Sequence, residues 1–204
     1  MKENNRLQLK ITLEHVEPVV WRRVMVSDAL TFAQLHKVIQ RAMGWEDCHL
    51  HEFELASPRI RIGTRQADGF MDFGDSERLL PERTTRLADV LAGKRKLRYW
   101  YDFGDDWWHT LAIEKRLPAD PAAAPAELIA GEYACPPEDC GGPWGYAELL
   151  AAAADPSNPA HEEILDWLDG DDLDPADFDF DRHARLVRAA FAVRRRKPAP
   201  NRTG

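Results

Sequence analysis

The apolar residues Leu97, Tyr99, Tyr101 and Phe103 occupy every second position up to Gly104, and Trp107, His109, Leu111 and Ile113 do the same after it. Period-two hydrophobicity on both sides of a glycine predicts strand, turn and strand with one face buried. Gly104 is expected to supply the positive φ of the reversal, with Asp105 and Asp106 as turn residues. Leu97 to Leu117 therefore reads as an antiparallel hairpin of the core sheet.

Further strands precede it. Leu7, Leu9, Ile11 and Leu13 alternate with Gln8, Lys10 and Thr12, which describes a half-buried strand. After the break at Glu17-Pro18, Val19 to Val26 forms a second strand, antiparallel to the first because the connection is short. Arg22 and Arg23 interrupt it and are expected on a solvated or edge face. Thr31 and Gln34 make a capping box, Phe32, Leu35, Val38, Ile39, Ala42 and Met43 share one helical face, and Gly44 closes the helix. This helix should cross the sheet, with His36 at the boundary of its stripe. A strand follows in which His49, His51, Phe53 and Leu55 point one way. Pro58 to Ile62 reads as a short strand, Gly63 to Arg83 as a long polar loop, and Thr85 to Leu91 as a helix capped by Thr85.

Beyond the hairpin, Ala119 to Ala126 reads as a linker. Cys135 to Tyr146 reads as a rigid loop, since its prolines fix φ and its glycines permit left-handed turns. Tyr146 to Ala154, Pro159 to Asp169 and Asp181 to Val193 are expected helices. The acidic stretch Asp169 to Asp181 lacks the spacing of a calcium loop. The fold class is α+β: a mixed sheet with a β-β-α-β N-terminal core, a crossing helix, the central hairpin and a C-terminal helical subdomain. A single domain is expected over 1–204, with sheet and crossing helix in 7–117, loop and helical subdomain in 127–193, and a flexible basic tail in 194–204.

Composition narrows the function classes. The chain has 204 residues, 44% of them hydrophobic, and a net charge of -8 with a pI near 5.4. An acidic surface disfavours duplex DNA, so only weak binding without sequence preference is expected. Three cysteines make no secretory disulfide framework, and no signal peptide or membrane span is legible, so the expected setting is the cytoplasm. Asp102-Phe103-Gly104 matches a kinase triplet, but no glycine-rich loop or catalytic-loop signature accompanies it. Phosphate-loop and dinucleotide fingerprints are absent as well.

The segments His49-Leu50-His51-Glu52-Phe53, Tyr101-Asp102-Phe103-Gly104-Asp105 with Trp107 and His109, and Cys135-Pro136-Pro137-Glu138-Asp139 followed by Gly141 to Tyr146 together resemble the plasmid-Ri ORF-three-like family. Members are often labelled TnpR-like transposon passenger proteins. The resemblance spans about Leu7 to Leu186 and implies an α+β domain with no established activity. A serine resolvase needs an activated serine among arginines, and Ser27, Ser57, Ser76 and Ser157 stand in no such setting.

Two functions follow. The first is a non-enzymatic binding or adaptor module of a bacterial, plasmid or transposon-borne system, taking a protein or peptide and neither specific nucleic acid nor membrane. Its cleft would use His51, Asp102, Asp105, Trp107, His109, Glu138, Asp139 and Trp144, brought together at one end of the sheet. The second is a metal-dependent hydrolase or nuclease built on His49, His51, Asp102, Asp105 and His109, since imidazoles and carboxylates can hold an ion that acidifies water. No cofactor is required by the first. A divalent metal is possible, with His49, His51, His109, Cys135 and Cys140 as candidate ligands.

Overall fold

In the computed structural model, which describes residues 5–64, 79–168 and 173–191, the first alternating run becomes strand β1 (Asn5–Leu13). Leu7, Leu9, Ile11 and Leu13 are its buried face. Strand β2 (Trp21–Ser27) pairs with it antiparallel, Ile11 opposite Arg22. Helix α1 (Phe32–Met43) carries the full capping box of Thr31 and Gln34, and Gly44 ends it in a left-handed conformation, φ 105°. Strands β3 (His51–Ala56), β4 (Arg59–Gly63) and β5 (Leu79–Pro81) follow, then the short helix α2 (Leu87–Val90). The expected cap at Thr85 is not made: Arg86 holds the cap position, and the Thr85 hydroxyl donates to the Pro81 carbonyl instead.

The central hairpin forms as β6 (Lys96–Tyr101) and β7 (Trp107–Pro118), antiparallel, with Tyr99 opposite His109. Its turn differs from expectation. Asp102 (φ 53°) and Asp106 (φ 58°) take the left-handed conformations, and Gly104 does not. The Asp106 N–H donates to the Asp102 carbonyl, and the Asp102 carboxylate accepts the Gly104 N–H at 2.9 Å. This side-chain turn replaces the one assigned to glycine, because aspartate tolerates left-handed backbone when it satisfies a local donor.

Residues 126–132, where a linker was expected to give way to loop, form strand β8 (Ala126–Glu132) beside β2. Among the described residues the sheet has eight strands in the order β5-β4-β3-β6-β7-β1-β2-β8, antiparallel except for β4 with β5. Helices α3 (Gly142–Ala154), α4 (His161–Trp167) and α5 (Phe180–Ala189) complete an α+β fold. The Asp179 side chain caps α5 by accepting the Arg182 N–H, and Ala160 stands at the cap of α4. The expected basic tail and part of the acidic connection lie outside the described residues.

One face of the sheet and the apolar stripe of α1 make the core, in which Phe32, Leu35, Val38 and Ile39 are fully buried. The opposite face carries half-buried polar and aromatic side chains. There Trp100 and Trp108 stack across strands at 4.9 Å, and the Arg98 guanidinium lies 3.7 Å over the Trp108 ring. Arg23 belongs to this face, paired with Glu114 at 2.7 Å. Arg22 does not: it points into the core and is fully buried, contrary to the expectation of a solvated charge. Its neighbour in sequence faces the other way because the strand period is two.

Candidate metal centre

Three segments distant in sequence converge at one end of the sheet. The Asp102 N–H donates to the Leu50 carbonyl at 2.8 Å, which ties the loop before β3 to the hairpin turn. The Pro/Gly loop docks on both. Trp45 Nε1 donates to the Pro136 carbonyl at 2.9 Å, and the Asp105 carboxylate accepts the Gly141 N–H at 3.1 Å. Gly142 explains how closely this loop can approach. Its φ is +70°, and a Cβ there would lie 2.2 Å from the Asp105 carbonyl oxygen. Gly142→Ala should therefore cost about 2 kcal/mol and push the loop off the turn. A thermal melt at wild-type temperature would show that the backbone has room after all.

At the junction stands His49. Its Nε2 is 3.3 Å from Asp139 Oδ1, 3.6 Å from Asp102 Oδ2 and 3.8 Å from Glu138 Oε2. These are too long for N–H···O hydrogen bonds, which run at about 2.7–3.2 Å. Both His49 Nε2 and Glu138 Oε2 are buried without any hydrogen-bond partner. The other oxygens of the carboxylates are held. Glu138 Oε1 accepts the Tyr101 hydroxyl at 3.0 Å and the Glu46 N–H at 2.9 Å, while Asp102 Oδ1 takes Gly104. Each of these two carboxylates thus presents one free oxygen towards His49. Burial and the Glu138 charge push the Tyr101 phenol well above its ordinary pKa, so it remains a donor. Asp102 and Asp139 (φ 56°) both sit in left-handed backbone, as does Asp47 (φ 64°) nearby. Such strain collects where surrounding structure dictates side-chain position.

Four ligands at about 2.0–2.1 Å around a tetrahedral ion stand roughly 3.3–3.4 Å from one another. The spacings about His49 lie close to that. The sets His49, Asp102, Asp139 and Cys48, His49, Glu138 each bring their ligand atoms within 4.8 Å of one another. The centre opens on a cleft of about 330 Å³ lined by Asp47, Cys48, His49, Leu50, Asp102, Phe103 and Gly104.

Several expected site residues are elsewhere. His51 does not share a ligand set with His49, because His49 precedes β3 and only His51 belongs to the strand. The His51 ring stacks on His36 at 3.4 Å and bonds Glu82 at 2.6 Å. His36, expected at a boundary, is buried and bridges the Tyr99 hydroxyl and Asp47. Burial and the neighbouring His51 lower it to about 4. Trp107 and His109 face the core with no exposure, so neither can line a cleft. The strand period that buries Leu111 buries them too. Trp144 is 85% exposed on α3 and is not among the cleft-lining residues. Asp105 spends its carboxylate on Gly141. Cys135 and Cys140 pack against the core, where burial raises both thiols, Cys140 to about 12, and among the described residues neither shares a ligand set with His49. Cys48, Asp47 and Glu82 were not anticipated. Adjacency to His49 was a usable signal for Cys48, and Glu82 lay in a stretch without periodicity.

No helix among the described residues is long and apolar enough to cross a membrane. The family model described as plasmid pRiA4b ORF-3-like protein matches residues 5–182. The chain is 39% identical over 183 residues to "Uncharacterized protein y4hQ" of Sinorhizobium fredii (strain NBRC 101917 / NGR234), covering 89% of this chain and 90% of that protein. It also resembles the crystal structure of a protein of unknown function, MM3350 from Methanosarcina mazei Go1. That likeness has a TM-score of 0.76 and 36% identity, and covers 88% of this chain and 98% of the other.

Proposed function

The chain belongs to the plasmid pRiA4b ORF-3-like protein family, whose relatives named above carry no assigned activity, and from its own side chains we propose that it is a divalent-metal protein of the hydrolytic kind. The observation that carries this reading is the unpartnered His49 Nε2 facing free oxygens of Asp102, Glu138 and Asp139. Imidazole with carboxylates suits zinc and its first-row neighbours better than calcium, which prefers oxygen alone. An ion held by His49, Asp102 and Asp139 would keep a fourth position open for water, and a bound divalent ion supplies a water of lowered pKa to attack an ester or amide. Tyr101 and the Glu46 N–H would orient Glu138, and Gly104 would orient Asp102.

An adaptor role finds less support in these side chains. Of the tryptophans it would use as anchors, Trp107 is core, Trp100 and Trp108 stack on each other, and Trp144, though exposed, is not among the residues lining the cleft. A nucleic-acid substrate is disfavoured by the carboxylates at the cleft and the net charge of -8.

The test is metal content. Chelator-stripped protein reloaded with zinc and dialysed should retain one ion per chain by elemental analysis. His49→Ala should abolish retention. Tyr101→Phe, which removes the donor to Glu138 and the acceptor of the Cys48 N–H, should weaken affinity roughly 10–100-fold. Wild-type protein that retains no zinc, or His49→Ala protein that retains it equally, would dispose of the reading.

A further inference from the structure

The charge around the centre restricts what can approach it. A divalent ion held by His49, Asp102 and Asp139 is neutralised by its two carboxylates, since imidazole adds no charge, and the Glu138 carboxylate 3.8 Å from His49 Nε2 leaves one negative charge beside it. Asp47, on the cleft wall with its side chain 43% exposed, adds another. Among the described residues, no lysine or arginine lines the cleft. Sites that take phosphate or carboxylate groups hold them with arginine, lysine or a helix N-terminus. The lining also includes apolar side chains: Leu50 is 45% exposed, and the Phe103 ring packs at a tilt on Trp100 at 4.2 Å. Gly104 leaves the lining without a side chain at the turn.

Resting on the metal reading above, we infer that the cleft takes a neutral or cationic ligand with an apolar flank beside its metal-binding atoms, and rejects molecules bearing phosphate or carboxylate groups there. The ammonium or neutral end lies towards Asp47 and the apolar part along Leu50 and Phe103. Asp47 then acts as a specificity residue rather than as a ligand of the ion. Its own geometry is fixed from behind, because its N–H donates to the Gln40 side chain at 2.9 Å and its carboxylate meets His36.

The experiment uses the full chain loaded with cobalt, whose visible absorption reports ligands entering the coordination sphere. Two aliphatic hydroxamates of equal length serve as probes, one ending in an ammonium group and one in a carboxylate. Both offer the same metal-binding head, so the ratio of their affinities isolates the distal charge. The ammonium probe should bind roughly tenfold more tightly at low ionic strength, and the ratio should shrink as salt is added. Asp47→Asn should bring the ratio down several-fold in samples that keep the cobalt band. Equal or reversed affinities on a cobalt-loaded centre overturn the inference and leave the centre standing. An unchanged ratio in Asp47→Asn also overturns it. A wild-type chain with no cobalt band overturns the centre and the inference together.

Discussion

Arg22→Met should destabilise the protein by about 3–5 kcal/mol, the largest loss expected from a single side chain here. Arg22 is fully buried, and its Nε donates to the Ala42 carbonyl at 2.8 Å, at the last turn of α1. Its Nη1 donates to the carbonyls of Trp21 and Glu132, on β2 and at the end of β8. The guanidinium also lies 3.6 Å over the Phe178 ring. One planar fork thus joins a helix end, two strands and the chain leading into α5. Methionine fills similar volume but leaves the carbonyls of Ala42 and Glu132 without this donor, and a buried unsatisfied carbonyl costs about 1–3 kcal/mol. Arg22→Lys should rescue little, because one ammonium cannot reproduce the fork. Urea titrations of the three proteins give the comparison. A methionine variant within 0.5 kcal/mol of wild type, on the order of a surface substitution, would show that this linkage is dispensable.

Acid should be nearly as damaging. Burial holds His109 down to about 4, and burial with the neighbouring His51 does the same to His36. A folded pKa below the unfolded one means that the unfolded chain binds the proton first. Stability is therefore complete above about pH 6.5 and falls as pH drops towards 4. His109 alone accounts for about 3 kcal/mol over that window. His36 adds a loss of the same sign. Glu82 contributes at the lower end: burial opposes it, but the hydrogen bond and charge of His51 hold its carboxyl below the usual range. That contribution is present above the ordinary carboxylate pKa and fades below it. Urea midpoints between pH 7 and pH 4.5 should fall steadily, and His109→Gln should flatten the slope. A midpoint that stays level over this interval would contradict the buried, neutral state of both rings.

The parts of the fold legible from sequence were those with strong local periodicity. The hairpin, β1, β2 and α1 with its cap were readable because alternation, helical spacing and capping chemistry agree there. Strand β8 was not, since Ala126 to Glu132 follows an Ala/Pro stretch and owes its state to pairing with β2. Arg22 misled because charge in a strand normally marks a solvated face, and only the tertiary placement of the Ala42 and Glu132 carbonyls reverses that. Of the residues that meet at His49, the sequence points to Asp102, Glu138 and Asp139 as cleft residues and to His49 as a candidate ligand. The pairing of His49 with His51 was an error of register: one residue lies just outside the strand whose period was assumed for both. Trp107 and His109 failed as cleft residues for the opposite reason, since the period held and placed them inside.

The docking of the Pro/Gly loop onto the hairpin turn has a consequence for the order in which a ribosome releases the chain. His49 emerges roughly 5–20 s before Glu138 and Asp139 at ordinary elongation rates, and Asp102 roughly 2–7 s before them. During that interval β2 also lacks β8, and the guanidinium of Arg22 lacks the Glu132 carbonyl. The nascent chain can build its hairpin and lay α1 across it, but the cage around His49 has only one wall. The cage around His49 is thereby closed only once Asp139, about two thirds of the way along the chain, has been made.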